Sequence, residues 1–99
     1  MKEFTLLKSK TDKNIFYFAT IDFELEKFTI ENNDSLFPEK LELIEKIRYE
    51  SCDDIPEDFT RDLVTCSNRF THKDIINYFM AFYNSDFRNK IIVVYKVKK

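Results

Sequence analysis

The stretch NIFYFATIDFELEKFTI, residues 14–30, decides the fold. Its odd positions are apolar from Ile15 through Tyr17, Ala19, Ile21 and Phe23 to Leu25. Its even positions start apolar at Phe16 and Phe18, then become Thr20, Asp22, Glu24 and Glu26. A period of two marks a strand, because successive side chains leave opposite faces of a sheet. The pattern predicts a long strand from Ile15, covered on both faces in its first half and wet on one face in its second. After Lys27 the apolar phase moves to Phe28 and Ile30, and such a change needs a turn or a bulge. A turn over 24–27 and a further strand at 27–31 are therefore expected. Upstream, EFTLLK at 3–8 suits a first strand. The polar run 9–14 suits a hairpin loop, with Asp12 or Asn14 taking any left-handed position.

Downstream the period lengthens. Pro38 suits a first helical turn, and Leu41, Ile44, Ile47 and Arg48 or Ser51 follow at helical spacing, which predicts a helix over 38–51. DDIPED, 53–58, opens another, with Asp53 or Asp54 as cap, Pro56 in the first turn, and Phe59, Leu63 and Cys66 along one face. SNR, 67–69, interrupts it. THKD, 71–74, has the form of a capping box in which Asp74 stands in for the usual Glu, and Phe70 and Ile75 match a hydrophobic staple. Ile75, Ile76, Phe79, Met80 and Tyr83 continue as an apolar stripe. After a connection at 84–90, IIVVYKVKK closes the chain as a strand, with Ile91, Val93, Tyr95 and Val97 inward and Ile92 and Val94 partly covered. The expectation is one α+β domain over 1–99: three strands, two or three helices on one face, and a last strand returning to an antiparallel sheet of about four.

Composition excludes more than it specifies. Among 99 residues there is no glycine, so neither a phosphate-cradling loop nor a dinucleotide-binding turn can be built. No apolar run is long enough to span a bilayer, and MKEFTLLKSK lacks the apolar core of a signal peptide. A cytoplasmic setting in a bacterium or a phage-infected host is expected. Phe, Tyr, Ile, Asn and Lys make up 45 residues, the skew of an A+T-rich gene.

Cys52, Cys66 and His72 stand singly, without the close pairs from which zinc sites are made, so no metal or cofactor is expected. In an oxidising compartment a Cys52–Cys66 bridge would close a loop of about 15 residues, worth roughly 3 kcal/mol. A Cys66–His72 nucleophile pair would need an activated thiol, whereas Cys66 falls on the apolar face of its expected helix. His72, as first residue of a helix, reads as solvated. Phe16 and Phe18 have the F-x-F spacing of an RNA-stacking sheet, but the helix that such a module places between its first two strands is missing. With a net charge of −2, direct nucleic-acid binding is not expected.

Charge distribution is the remaining signal. Residues 22–62 carry a net −9, whereas 1–21 carry +2 and 63–99 carry +5. Helix starts favour acids through the dipole, which accounts for part of this. The functional reading is an acidic surface of Glu50, Asp53, Asp54, Glu57, Asp58 and Asp62, joined by Asp22, Glu24 and Glu26, that steers a basic partner to it. On that reading the chain is a small non-enzymatic inhibitor of a nuclease or other nucleic-acid-handling protein, of the kind a phage or mobile element directs against host defence (anti-CRISPR-like). The alternatives are an assembly protein forming a homodimer through exposed aromatics, and a small carboxylate-based hydrolase.

Overall fold

A computed structural model describes residues 6–37, 39–63, 71–81 and 89–99, with backbone alone at 79–81. The elements run β1 (Leu7–Lys8), β2 (Ile15–Ile21), α1 (Lys27–Asn32), β3 (Glu42–Tyr49), α2 (Glu57–Arg61), α3 (His72–Ala81) and β4 (Ile92–Lys98), with a 3-10 turn at Cys52–Asp54 before α2. The fold is α+β. Its four strands form one antiparallel sheet in the order β1-β2-β4-β3, and the last strand of the chain is inserted between β2 and β3.

Position in the sheet explains the composition of the strands. All seven residues of β2 are buried, as are Ile92–Tyr95 and Val97 of β4. These two strands form the centre and are covered on both faces, so they read as nearly continuous apolar runs. On one face Ile15, Tyr17, Ala19, Ile21, Ile92 and Val94 pack against the 3-10 turn, α2 and α3 through Cys52, Ile55, Leu63, Ile75 and Ile76. On the other, Phe16, Phe18, Val93, Tyr95 and Val97 pack against Ile30 of α1 and against Leu36, Phe37 and Leu41 after it. Thus α2 and α3 share a face, and α1 closes the opposite one.

The Phe18 and Tyr95 rings stack at 4.5 Å between centroids. The Thr20 hydroxyl donates to the Phe23 carbonyl, so the Tyr95 hydroxyl donates to Thr20 (2.9 Å) and accepts from the Leu25 N–H (2.7 Å). This chain of bonds ties the β2–α1 connection down over β4. Among the described residues two have a positive φ, Asp22 at 70° and Asn89 at 64°, residue types whose short polar side chains tolerate that region. Asp12 instead accepts from the Asn14 N–H at 2.9 Å within its loop.

Several segments depart from the sequence reading. Residues 27–31 are not a strand, because β2 ends at Ile21 and left-handed Asp22 turns the chain before the apolar phase changes. The helix that forms there is six residues long and buries only Ile30, too short a stripe to register as a helical period. Residues 39–51 are not a helix but contain β3, on the edge of the sheet, and Pro38 lies outside the described residues. The register of β3 shifts by a bulge between Leu43 and Glu45, so the half-buried residues become Leu43, Lys46 and Tyr49. The apolar spacing read as helical, Leu41, Ile44 and Ile47, marks no common buried face, since Leu41 is buried whereas Ile44 and Ile47 are exposed. The expected helix from residue 53 divides at Ile55: Ser51 Oγ caps the 3-10 turn by accepting from the Asp53 N–H (3.2 Å), and Pro56 precedes α2 rather than entering it. Leu63 bridges to Ser9, and Cys66 lies outside the described residues. Ile92 and Val94 are fully rather than partly buried.

The capping box holds in both directions. Thr71 Oγ1 accepts from the Asp74 N–H and Asp74 Oδ2 accepts from the Thr71 N–H, each at 3.2 Å. Ile75 and Ile76 are buried as the stripe required; Phe70, Tyr83 and the side chains of Phe79 and Met80 lie outside the described residues.

Candidate functional site

The acid-rich segment 50–62 runs from the end of β3 through the 3-10 turn and α2, and its apolar residues fix it to the sheet. Cys52 and Ile55 are buried, with Ile55 only 2% exposed. Phe59 meets the Tyr17 ring edge-on at 5.0 Å. Thr60 is buried; its hydroxyl donates to the Glu57 carbonyl and accepts from His72 Nδ1, both at 2.9 Å. Because the single hydroxyl proton of Thr60 is committed to Glu57, His72 must carry its proton on Nδ1. His72 is thus half-buried and ties α3 to α2, rather than standing solvated at a helix start.

Asp62 anchors the far end. Its carboxylate accepts from Ser9 Oγ (2.8 Å), the Thr11 N–H (3.2 Å), Thr11 Oγ1 (2.7 Å) and the Tyr17 hydroxyl (2.5 Å), while its carbonyl accepts from the Lys10 N–H (2.6 Å). Burial pushes this carboxyl up, but the bonds from Tyr17, Thr11 and Ser9 together outweigh it and hold the group below its ordinary value. Burial, the bond to Asp62 and the charges of Asp62 and Glu45 all hold the Tyr17 hydroxyl well above its ordinary value.

The other carboxylates of the segment point outward. Glu50, Asp53, Asp54, Glu57 and Asp58 are all exposed. Arg61 is shared between Glu57 (3.2 Å) and Asp58 (3.6 Å), and Arg48 lies 3.7 Å from Glu50. These pairs are solvated, so each is worth about 0–1 kcal/mol. Asp53 and Asp54 make no ion pair among the described residues. Five carboxylates therefore face two guanidiniums.

Asp22 and Glu24 line a concavity of about 150 Å³ together with Arg48, the ion-pair partner of Glu50. With Glu26, these two acids lie in the β2–α1 connection, where Asp22 is 3.6 Å from Lys90 and Glu24 is 2.8 Å from Lys46. The bond to Glu24 raises the Lys46 ammonium against the opposing effect of burial. Glu26 immediately precedes α1 and caps it with no side-chain bond.

Two concavities adjoin the acidic segment. Cys52, Asp53, His72 and Lys73 line a shallow cleft of about 170 Å³. Cys52 is a free, buried thiol, and no group of three or more metal-type side chains assembles among the described residues. The second is a groove of about 230 Å³ between β3 and α2, lined by apolar Ile47, Tyr49, Pro56, Phe59 and Val94 together with charged Glu45, Asp58 and Lys96. Reading 38–51 as a helix hid this groove, since its wall exists only if β3 is a strand.

No helix among the described residues is long and apolar enough to cross a membrane. Comparison with protein-family models, with curated proteins and with solved structures finds no match to this chain.

Proposed function

We propose that the chain is a non-catalytic binding domain that engages the basic surface of another protein through Glu50, Asp53, Asp54, Glu57 and Asp58. The observation that carries the reading is the division of labour within one segment. Buried Cys52, Ile55 and Thr60 and the inward carboxylate of Asp62 fix the backbone, while five neighbouring carboxylates are held in solvent. A fixed backbone lowers the ordering cost of binding, and the uncompensated charge accelerates encounter with a cationic partner. Proteins that hold nucleic acid present such cationic surfaces. A nuclease or related host defence protein, inhibited by occupation of its nucleic-acid groove, is the partner class that fits. Asp62 supports this surface from within, and the charges of Asp22 and Glu24 are met by Lys90 and Lys46.

The test is binding to an immobilised panel of host nucleases and other nucleic-acid-binding proteins at low and high salt, with duplex DNA as competitor. The reading predicts a partner whose affinity falls with salt, is displaced by DNA, and weakens at least about tenfold when Asp53, Asp54, Glu57 and Asp58 become Lys. Affinity unchanged by that reversal at low salt would refute it.

A further inference from the structure

The groove between β3 and α2 lies beside the open edge of the sheet. Among the described residues β3 pairs only with β4, so alternate main-chain N–H and C=O groups along its outer side face away from the sheet. The first half of that edge is closed. The bulge between Leu43 and Glu45 disrupts it, the Leu43 N–H is taken by Glu31 Oε2 at 2.8 Å, and the Lys46 side chain folds toward Glu24. Ile47–Tyr49 remains, with Ile47 39% exposed, and this is the part that borders the groove. A volume of about 230 Å³ falls below the usual ~300–1,000 Å³ of small-molecule sites. It suits one large apolar side chain.

We infer that an extended segment of a basic partner lies along Ile47–Tyr49, places an apolar or aromatic side chain in the groove over Val94 and Phe59, and sets Lys or Arg two residues to either side against Glu45 and Asp58. The spacing follows from strand geometry, in which residues i and i±2 share a face. Lys96, the cross-strand neighbour of both Tyr17 and Glu45, is the one cation of the lining among the described residues. The exposed acids of the adjoining segment leave the surroundings negative. A second copy of this chain is disfavoured in the registers centred on residues 45–48. Antiparallel self-pairing centred on residue 45, 46, 47 or 48 sets Glu45 on Glu45, Lys46 on Lys46, Lys46 on Arg48 or Arg48 on Arg48, and like charges directly opposite are destabilising. The register centred on Tyr49 sets Arg48 against Glu50, and it is the one the dimer outcome of the test below would report. The inference rests on the acidic-surface reading above and names the form of the partner at that surface.

The probe is the peptide Thr-Lys-Thr-Phe-Thr-Lys-Thr, titrated into isotopically labelled protein and followed by amide shifts. Saturable shifts confined to residues 45–49, Phe59 and Val94 are expected. Affinity should fall at least tenfold for peptides with Ser in place of Phe or Glu in place of Lys, and for the folded variants Ile47→Asp and Glu45→Lys/Asp58→Lys. Scattered or absent shifts, or full affinity in both variants, would overturn the groove. So would a concentration-dependent dimer whose shifts map to β3, since that would make the second copy its occupant. If the peptide fails while a basic protein still binds in a manner dependent on Asp53 and Asp54, the groove is wrong and the acidic surface stands. If both fail, both are wrong.

Discussion

Within twelve residues the chain uses the same functional group in two opposite ways. The Asp62 carboxylate is turned inward onto Ser9, Thr11 and Tyr17, whereas those of Asp53 and Asp54 stand in solvent without an ion pair among the described residues. The contrast teaches that an acidic cluster is not one thing. Asp62 stabilises the fold because its hydrogen bonds cross from the 50–62 segment to the first hairpin. Its exposed neighbours make only solvated pairs, each worth about 0–1 kcal/mol.

The sharpest way to break the comparison is Asp62→Ala. The substitution strands the donors of Ser9, Thr11 and Tyr17 and should cost about 3 kcal/mol, read as a lower urea midpoint at unchanged slope. Next in size is Tyr95→Phe on the opposite face, which deprives the Leu25 N–H of its acceptor and should cost about 1–2 kcal/mol. Thr71→Ala removes half of the α3 capping box for about 1 kcal/mol. Smallest is Asp53→Asn with Asp54→Asn, expected within about 0.5 kcal/mol of the parent, as for surface changes away from buried networks.

Acid sharpens the same contrast. Since Asp62 titrates below its ordinary value in the fold, the unfolded chain takes up that proton first. Its contribution is present above about pH 5 and is lost as the pH falls through the unfolded value near 3.9 and below. Tyr17 acts at the other end. Its raised value means that stability is retained below about pH 10 and lost as the pH climbs beyond it. Stability followed against pH should bend at both ends in the parent. In Tyr17→Phe the alkaline bend should weaken, and Tyr49 and Tyr95, whose hydroxyls burial also holds above their ordinary value, supply what remains.

The sequence disclosed these features unevenly, for physical reasons. β2 and β4 were legible because strands covered on both faces must be apolar almost throughout, and Thr71 with Asp74 was legible because a capping box is a local code. β3 was not: it is an edge strand whose exposed Ile44 and Ile47 happen to follow Leu41 at helical spacing. α1 was not, since six residues burying one isoleucine leave no period to find. Among the candidate site residues, the exposed acids could be picked out from charge density alone. Asp62 could not be separated from them, because Ser9, Thr11 and Tyr17 lie 45 or more positions away in the chain. The groove of Ile47, Tyr49 and Phe59 depended on β3 and was lost with it.

Thermal denaturation at neutral pH of two variants, compared with the parent, tests the central claim most directly. One is Asp62→Asn; the other is the neutralised quadruple Asp53→Asn, Asp54→Asn, Glu57→Gln and Asp58→Asn. A domain of this size loses about 4–8 °C in Tm per kcal/mol. Asp62→Asn should therefore melt at least about 8 °C below the parent, and the quadruple within about 4 °C of it. A quadruple that melts far below the parent, or an Asp62→Asn protein that melts with it, would contradict the division between an inner carboxylate that holds the fold and outer carboxylates that do not.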